Sequence, residues 1–290
     1  MKRMGILGPA GTHSEAAAIH LNELLQDKFE LQIFSTIDEA ILSVEEGLID
    51  SAFVPVENSL EGSVNVTIDT LAFSKNLKVA RELIWRVHNS LMVKAGTTAI
   101  KKIFSHPQAL SQCRNYFREH FPHAEIVAAA STSKAAEIVS ESAPEDGFAA
   151  LCTKRAGNLN SLVEFAEDIQ DNSSNSTRFF QIVRADEKID YARNESPEKI
   201  FIVCQLLGNE SGALCNVLEE FAHRNVNLAR IESRPAKTEL GTYIFFFDLE
   251  TNPPAGRNSE LHAMLIDESL DAVAKKTSWL KNLGKFPVLK

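Results

Sequence analysis

The sequence predicts an α/β protein that continues into a smaller unit of βαββαβ order. Three observations carry this reading. Short apolar runs alternate with helix-like stretches from residue 4 to 183, the mark of a sheet wrapped by helices. A polar stretch with few apolar residues, 185–198, then interrupts the pattern. Beyond it, strand and helix periodicities alternate in the βαββαβ order of a ferredoxin-like unit.

The first part opens with strands predicted over 4–7, 31–34 and 52–54, and the series continues at 90–93, 102–104, 125–128 and 148–151. Helix starts are well marked between them. Thr12-His13-Ser14-Glu15 and Thr36-Ile37-Asp38-Glu39 both fit the capping box, in which a hydroxyl and a carboxylate satisfy free backbone N–H groups. Ala18, Leu21 and Leu25 then share one helical face, as do Ile41, Val44 and Leu48. After the polar break come a strand (199–206), a helix (212–224), strands at 227–233 and 242–249, a helix (259–276) and a short strand near 279–283. Leu214, Val217, Leu218, Phe221 and Ala222 form an apolar stripe on the first of these helices. The domain boundaries expected from this are 1–184 and 199–290.

Composition narrows the function. A chain of 290 residues can bury more than one core. Its 44% hydrophobic and 24% charged residues are ordinary for a globular protein. A net charge of −9 gives nucleic acid and anionic membranes no basic face to bind. No apolar run approaches the roughly 20 residues that span a bilayer. The N-terminus runs straight into a strand with no room for a signal peptide, so a cytoplasmic location is expected. Cys113, Cys152, Cys204 and Cys215 show neither a Cys-x-x-Cys pair nor metal-ligand spacing, and read as reduced, mostly packed thiols.

Several polar clusters stand at element ends. Gly5, Gly8 and Gly11 are spaced Gly-x-x-Gly-x-x-Gly with Pro9 in the turn, which is not the dinucleotide fingerprint. That turn can present backbone N–H groups and the Thr12 and Ser14 hydroxyls to an anion, or can be turn and cap chemistry alone. Asn58 and Ser59 follow an apolar strand, where open α/β sheets place ligands; they can donate to a carboxylate, or simply close a turn. Ser131, Thr132 and Ser133 open a helix, so one must cap it and the others are left for an anion. His106-Pro107 reads as a helix start. Thr177-Arg178-Phe179 sets a hydroxyl beside a guanidinium and an aromatic ring, which suits a small anionic ring substrate whose hydroxyl leaves as water. The same tripeptide also suits an ordinary strand start.

Five segments, taken in order, resemble the monofunctional prephenate dehydratases with a C-terminal ACT domain. They are Gly8-Pro9-Ala10-Gly11-Thr12-His13-Ser14-Glu15, the run from Val54 to Gly62, Ser131-Thr132-Ser133-Lys134-Ala135-Ala136, Thr177-Arg178-Phe179 and Glu232-Ser233-Arg234-Pro235. The resemblance implies a catalytic domain of two lobes, as in type II periplasmic binding proteins, and an ACT domain that pairs chains into a homodimer or homotetramer. It implies conversion of prephenate to phenylpyruvate with no cofactor and no metal. Thr177 would protonate or hydrogen-bond the leaving hydroxyl. Arg178 would grip a carboxylate, Phe179 would pack on the ring, and Asn58, Ser59 and Ser131–Ser133 would hold the remaining groups. Asn209, Gly212, Ala213 and Leu214, with Glu232, Ser233, Arg234 and Pro235, would bind L-phenylalanine as allosteric effector. His13 stands where the family usually carries an aromatic, and Ala229-Arg230 replaces a frequent Thr-Lys. No segment of this sequence resembles the chorismate mutase helix fused to some relatives, so a single activity is expected. Arogenate as substrate, or a non-catalytic amino-acid sensor, are the readings left open.

Overall fold

A computed structural model describes residues 1–26, 28–193, 195–208, 210–256 and 258–290. The first stretch runs β1 (Lys2–Leu7), α1 (His13–Leu24), β2 (Phe29–Phe34), α2 (Ile37–Glu45), β3 (Ser51–Asn58), a short β4 (Gly62–Ser63) and α3 (Asn65–Phe73). It continues with β5 (Leu77–Arg86), β6 (Ser90–Val93), β7 (Lys102–Ser105), α4 (Pro107–Ser111), α5 (Arg114–His120) and β8 (Glu125–Ala128). Then follow α6 (Thr132–Ser140), β9 (Phe148–Cys152), α7 (Lys154–Leu159), β10 (Val163–Ala166) and β11 (Ser176–Arg184). The last stretch holds β12 (Lys199–Leu206), α8 (Ala213–His223), β13 (Leu228–Pro235), β14 (Tyr243–Glu250), α9 (Ser259–Ala274), β15 (Thr277–Phe286) and β16 (Val288–Leu289).

Three sheets result. A seven-stranded sheet has the order β16-β5-β11-β3-β1-β2, with β4 added to β3; a five-stranded sheet is ordered β10-β6-β9-β7-β8; a four-stranded sheet is ordered β13-β14-β12-β15. By compactness the chain divides into one unit of Met1–Ala40, Phe53–Val64 and Ile84–Phe179 and another of Ile41–Ala52, Asn65–Leu83 and Phe180–Lys290.

In the first unit, the five-stranded sheet is covered on both faces, and strand alternation sorts its residues between two cores. Leu91, Val93, Ile103, Ala149 and Leu151 pack with Leu110, Cys113 and Phe117 on one side. Met92, Phe104, Ala150 and Cys152 pack with Ala135, Val139 and Ala156 on the other. Burial on both faces is why 90–93 and 148–152 read as unbroken apolar runs rather than alternating ones.

In the second unit, Ile200, Ile202, Cys204, Phe247 and Leu249 turn to α8 and α9 and meet Val217, Phe221, Ile266 and Val273. The opposite side of the four-stranded sheet carries Phe201 stacked on Phe246, with Phe180 at 5.4 Å from both Phe201 and Phe286. The described residues of the polar stretch 185–198 are anchored rather than loose. Arg81 of β5, only 7% exposed, donates to both Glu195 carboxylate oxygens at 2.7 and 3.0 Å and lies 5.1 Å from the Tyr191 ring centroid. Lys78 donates to the Ala185 and Glu187 carbonyls. Beside Arg81, the fully buried Glu82 takes a 2.8 Å bond from Lys199 of β12.

The structure adds to the expected strands: β4, β10 and β16 were not anticipated, and β3 runs on to Asn58. β5 was not anticipated, because Arg81 and Glu82 break its apolar pattern and their partners lie more than a hundred residues away. The last strand runs over Thr277–Phe286 rather than near 279–283, since the whole segment pairs with β12. Cys113, Cys152 and Cys204 are buried, which pushes each thiol up to about 12, and all four cysteines are free. Among the described residues no helix is long and apolar enough to cross a membrane.

Candidate active site

Thr177 enters β11 beside the end of β3, and the polar residues after β3 close on it. The Asn58 carboxamide is fixed from both ends. Its oxygen accepts the Leu60 and Glu61 backbone N–H groups at 3.0 and 3.2 Å, the turn chemistry by which Asn side chains hold a strand exit. Its nitrogen therefore faces β11, donating to Thr177 Oγ1 at 3.0 Å and to Asn175 Oδ1 at 2.9 Å. Ser59 completes the join: its N–H donates to the Ser176 carbonyl, and its Oγ accepts the Ser176 N–H at 3.0 Å. Thr177 Oγ1 thus accepts a bond from an amide, which cannot accept one back. Its own hydrogen has no acceptor among the described residues.

This arrangement changes three expectations. Asn58 spends its amide hydrogens on Thr177 and Asn175 rather than on a ligand, because its oxygen is already committed to the turn. Arg178 is not open to a carboxylate: its Nη1 donates to Glu57 Oε2 at 2.7 Å, with the guanidinium side chain only 15% exposed. Phe179 does not reach a substrate ring. It is 1% exposed and stacks on Phe53 of β3 at 4.9 Å between centroids, because the fourth residue of an interior strand already lies in the core.

A second group of predicted residues meets at Gly11 in the first unit. Thr12 caps α1 by accepting the Glu15 N–H, and Glu15 returns to the Gly11 N–H at 2.6 Å rather than to Thr12 itself. Arg155 of α7 binds the same carboxylate at 3.2 and 3.3 Å. Ser131 caps α6 through the Lys134 N–H, and Thr132 and Ser133 occupy the first turn. Thr153 caps α7 and donates to the Gly11 carbonyl at 2.6 Å. Gly11 has a φ of +82°, and a Cβ there would fall 2.9 Å from Ala156 and 3.1 Å from Ser133 Oγ, so only glycine lets the three helix starts converge. Ser133 Oγ is buried without a partner among the described residues. Ser14 is also buried, at 8% exposure. The convergence gives free N–H groups and hydroxyls suited to an anion.

His13 borders a cavity of about 400 Å³ that also touches Trp85, His88, Thr153 and Arg155. Burial pulls the imidazole down to about 4, against the Asn89 contact at 3.4 Å that raises it and with His88 repulsion that lowers it further. It is neutral at ordinary pH. His106 caps α4 through the Gln108 N–H with Pro107 in the first turn, the helix-start role expected of it.

The residues expected to bind an effector divide by strand alternation. In the β13–β14 register Ser233 faces Phe245, on the α8 and α9 side, while Glu232 and Arg234 face Phe246 and Ile244 on the opposite side. Arg234 holds Asp69 and Glu232 contacts Arg230. Gly212 sits at the N-cap of α8 with φ +88°, followed by Ala213 and Leu214 in its first turn. Asn209 lies outside the described residues.

Sequence reasoning missed Asn175. It stands in the polar run Asn172–Ser176, where nothing distinguishes it from loop residues, yet it is 1% exposed and contacts both Asn58 and Ser59.

The prephenate dehydratase family model matches residues 4–187. A prephenate dehydratase of Methanocaldococcus jannaschii is 36% identical, over 97% of this chain and 96% of the relative. One of Bacillus subtilis is 38% identical, over 86% of this chain and 88% of the relative. A solved structure of prephenate dehydratase in complex with L-Phe from Arthrobacter aurescens superposes with a TM-score of 0.81 at 30% identity, covering 100% of this chain and 90% of that one.

Proposed function

The chain belongs to the prephenate dehydratase family, and we propose that it converts prephenate to phenylpyruvate, carbon dioxide and water with Thr177 as hydrogen donor to the departing hydroxyl. It is a carbon–oxygen lyase of phenylalanine biosynthesis. The ring carboxylate leaves as carbon dioxide, its bonding electrons complete the aromatic ring, and the carbon–oxygen bond on the far side of the ring breaks. The expelled hydroxide takes up a proton and departs as water. Aromatisation supplies the driving force, so the protein has to orient the substrate and assist the hydroxide.

The observation that carries this reading is the Asn58–Thr177 bond. It makes Thr177 Oγ1 an acceptor from the protein, which leaves its hydrogen for the substrate. A threonine hydroxyl is a very weak acid, so its part is that of a placed donor, and such assistance is worth about 10²–10⁴-fold. The helix starts at Thr12 and Ser131–Ser133 are assigned the substrate's anionic groups. Arg178 is assigned to holding β3 against β11 through Glu57.

The catalytic part is read as two lobes of the type II periplasmic-binding-protein kind, within residues 1–184. Residues 199–290, whose strands and helices follow the βαββαβ order, are read as an ACT domain that binds L-phenylalanine and pairs with a second copy. The relative solved with L-Phe supports the effector's identity. Gly212, Ala213, Leu214 and Ser233 lie on the side of the sheet suited to it.

Steady-state phenylpyruvate formation by the parent and Thr177→Ala tests the donor. The variant should lose about 10²-fold in kcat with KM little changed, because the lost interaction acts in the transition state. Near-parental kcat in the folded variant rejects the role. Parallel kcat/KM values for prephenate and arogenate settle the substrate, and L-phenylalanine titration of the same assay tests feedback.

A further inference from the structure

Asn175 is almost wholly buried, and its carboxamide is used on one side only. Its Oδ1 accepts Asn58 Nδ2 at 2.9 Å and Ser59 Oγ at 3.4 Å. Its main chain is tied separately, the carbonyl accepting the Val87 N–H at 2.9 Å. Its Nδ2 has no acceptor among the described residues, although the atom is shut off from solvent.

The orientation of this amide follows from the network. The Leu60 and Glu61 backbone donors can meet only an oxygen, so Asn58 must present its nitrogen to Asn175. Asn175 must answer with its oxygen, because its nitrogen there would set donor against donor. One Asn58 hydrogen is thereby drawn to Asn175 and the other is left for Thr177. Without the Asn175 acceptor, the Asn58 nitrogen would keep only Thr177 and the Ser176 carbonyl at 3.4 Å, and the aim of its hydrogen at Thr177 Oγ1 would loosen while its oxygen stayed on the turn.

We propose that Asn175 is a positioning residue for the dehydration, acting through Asn58 to keep the Thr177 hydroxyl an acceptor from the protein and a donor to the substrate. The proposal rests on the assignment of Thr177 as donor. It also accounts for a buried amide nitrogen left unpaired among the described residues, an arrangement that folded proteins seldom keep without a role.

The test is a double-mutant cycle between residues 175 and 177 read by kcat, KM and thermal melting. Asn175→Ala should lower kcat about 10-fold or more with KM within about 3-fold, and should change kcat less than about 2-fold in the Thr177→Ala background. Asn175→Asp keeps an acceptor oxygen for Asn58 and should retain more kcat than Asn175→Ala; it also serves the cycle if the alanine variant does not fold. An equal kcat loss in both backgrounds would make the role structural and overturn the proposal, as would parental kcat in folded Asn175→Ala. Parental kcat in Thr177→Ala alone would instead reject the donor assignment, so the two failures are told apart.

Discussion

Arg234 of β13 holds Asp69 of α3 with both arms of its guanidinium, Nε and Nη2 each 3.1 Å from a different carboxylate oxygen. Lys237 reaches the same carboxylate at 3.0 Å. Burial would push the Asp69 carboxyl up, but the bonds from Arg234 and Lys237 outweigh it and hold the group below its usual range. A third cation grips the same helix at its end, where Lys281 of β15 donates to the Leu71 and Ser74 carbonyls, a favourable place for positive charge. The four-stranded sheet and Lys237 therefore clamp α3, which follows the Asn58 turn and the short β4 in sequence.

Asp69→Asn should cost about 1 kcal/mol of stability, since it weakens one partly buried, two-bond ion pair. If an effector at the four-stranded sheet acts through this clamp, the variant should also need more L-phenylalanine for half-inhibition. Melting together with inhibition curves checks both. Unchanged inhibition in a destabilised variant would limit the clamp to a stabilising role.

Phe179→Ala should destabilise by about 3–5 kcal/mol, the usual cost of emptying a buried aromatic site, and Phe179→Leu by less. Because the ring stacks on Phe53 rather than facing a ligand, KM of folded Phe179→Leu should stay within about 3-fold of parental. Denaturant unfolding and substrate kinetics on one preparation check this. A large KM change at unchanged stability would return the ring to the substrate.

His13 should make the protein acid-sensitive. Its folded-state value of about 4 lies below the ordinary 6.5, so the unfolded chain takes up the proton first as pH falls. Its penalty is absent above pH 6.5 and grows as pH drops towards 4. His13→Phe, which restores the aromatic usual in the family, should flatten the loss between pH 7 and 5 by about 1–2 kcal/mol relative to the parent. Melting temperatures of both proteins across that range decide it; parallel curves would mean that His13 takes up no proton differently on unfolding.

Lys199→Met should remove the 2.8 Å ion-pair partner of the buried Glu82 carboxylate and cost about 3 kcal/mol, whereas Glu82→Gln combined with Lys199→Met should recover much of that loss. Urea unfolding of the single and double variants checks it, and equal stability of the two would show that the pair is uncoupled.

The elements with local signatures were legible in the sequence. Thr12, His106 and Ser131 cap the helices where hydroxyl, proline and ring spacing placed them. The apolar runs at 90–93 and 125–128 are strands with those bounds. What escaped was set by distant partners. β5 looks too charged for an interior strand until Glu195 and Lys199 are seen to neutralise Arg81 and Glu82. The site was read at Thr177 and Asn58, but not their mutual bond across 119 residues, nor the buried Asn175, whose role depends on which way an amide turns. Arg178 and Phe179 were misjudged because composition names a guanidinium and a ring without showing that Glu57 and Phe53 already occupy them.

The anchoring of residues 185–198 bears on how this protein can be engineered. Desensitising a biosynthetic enzyme to its end product by cutting away its C-terminal region assumes an interchangeable cassette. Here a cut after Ala185 would remove Glu195 from Arg81, Lys199 from Glu82 and the β16 strand from β5. The remaining fragment would lose these partners of two buried, opposite charges, with Arg81 keeping its 3.2 Å bond to Gln181. Point changes on the α8 side of the four-stranded sheet leave that interior closed, and are the sounder route to a feedback-resistant catalyst.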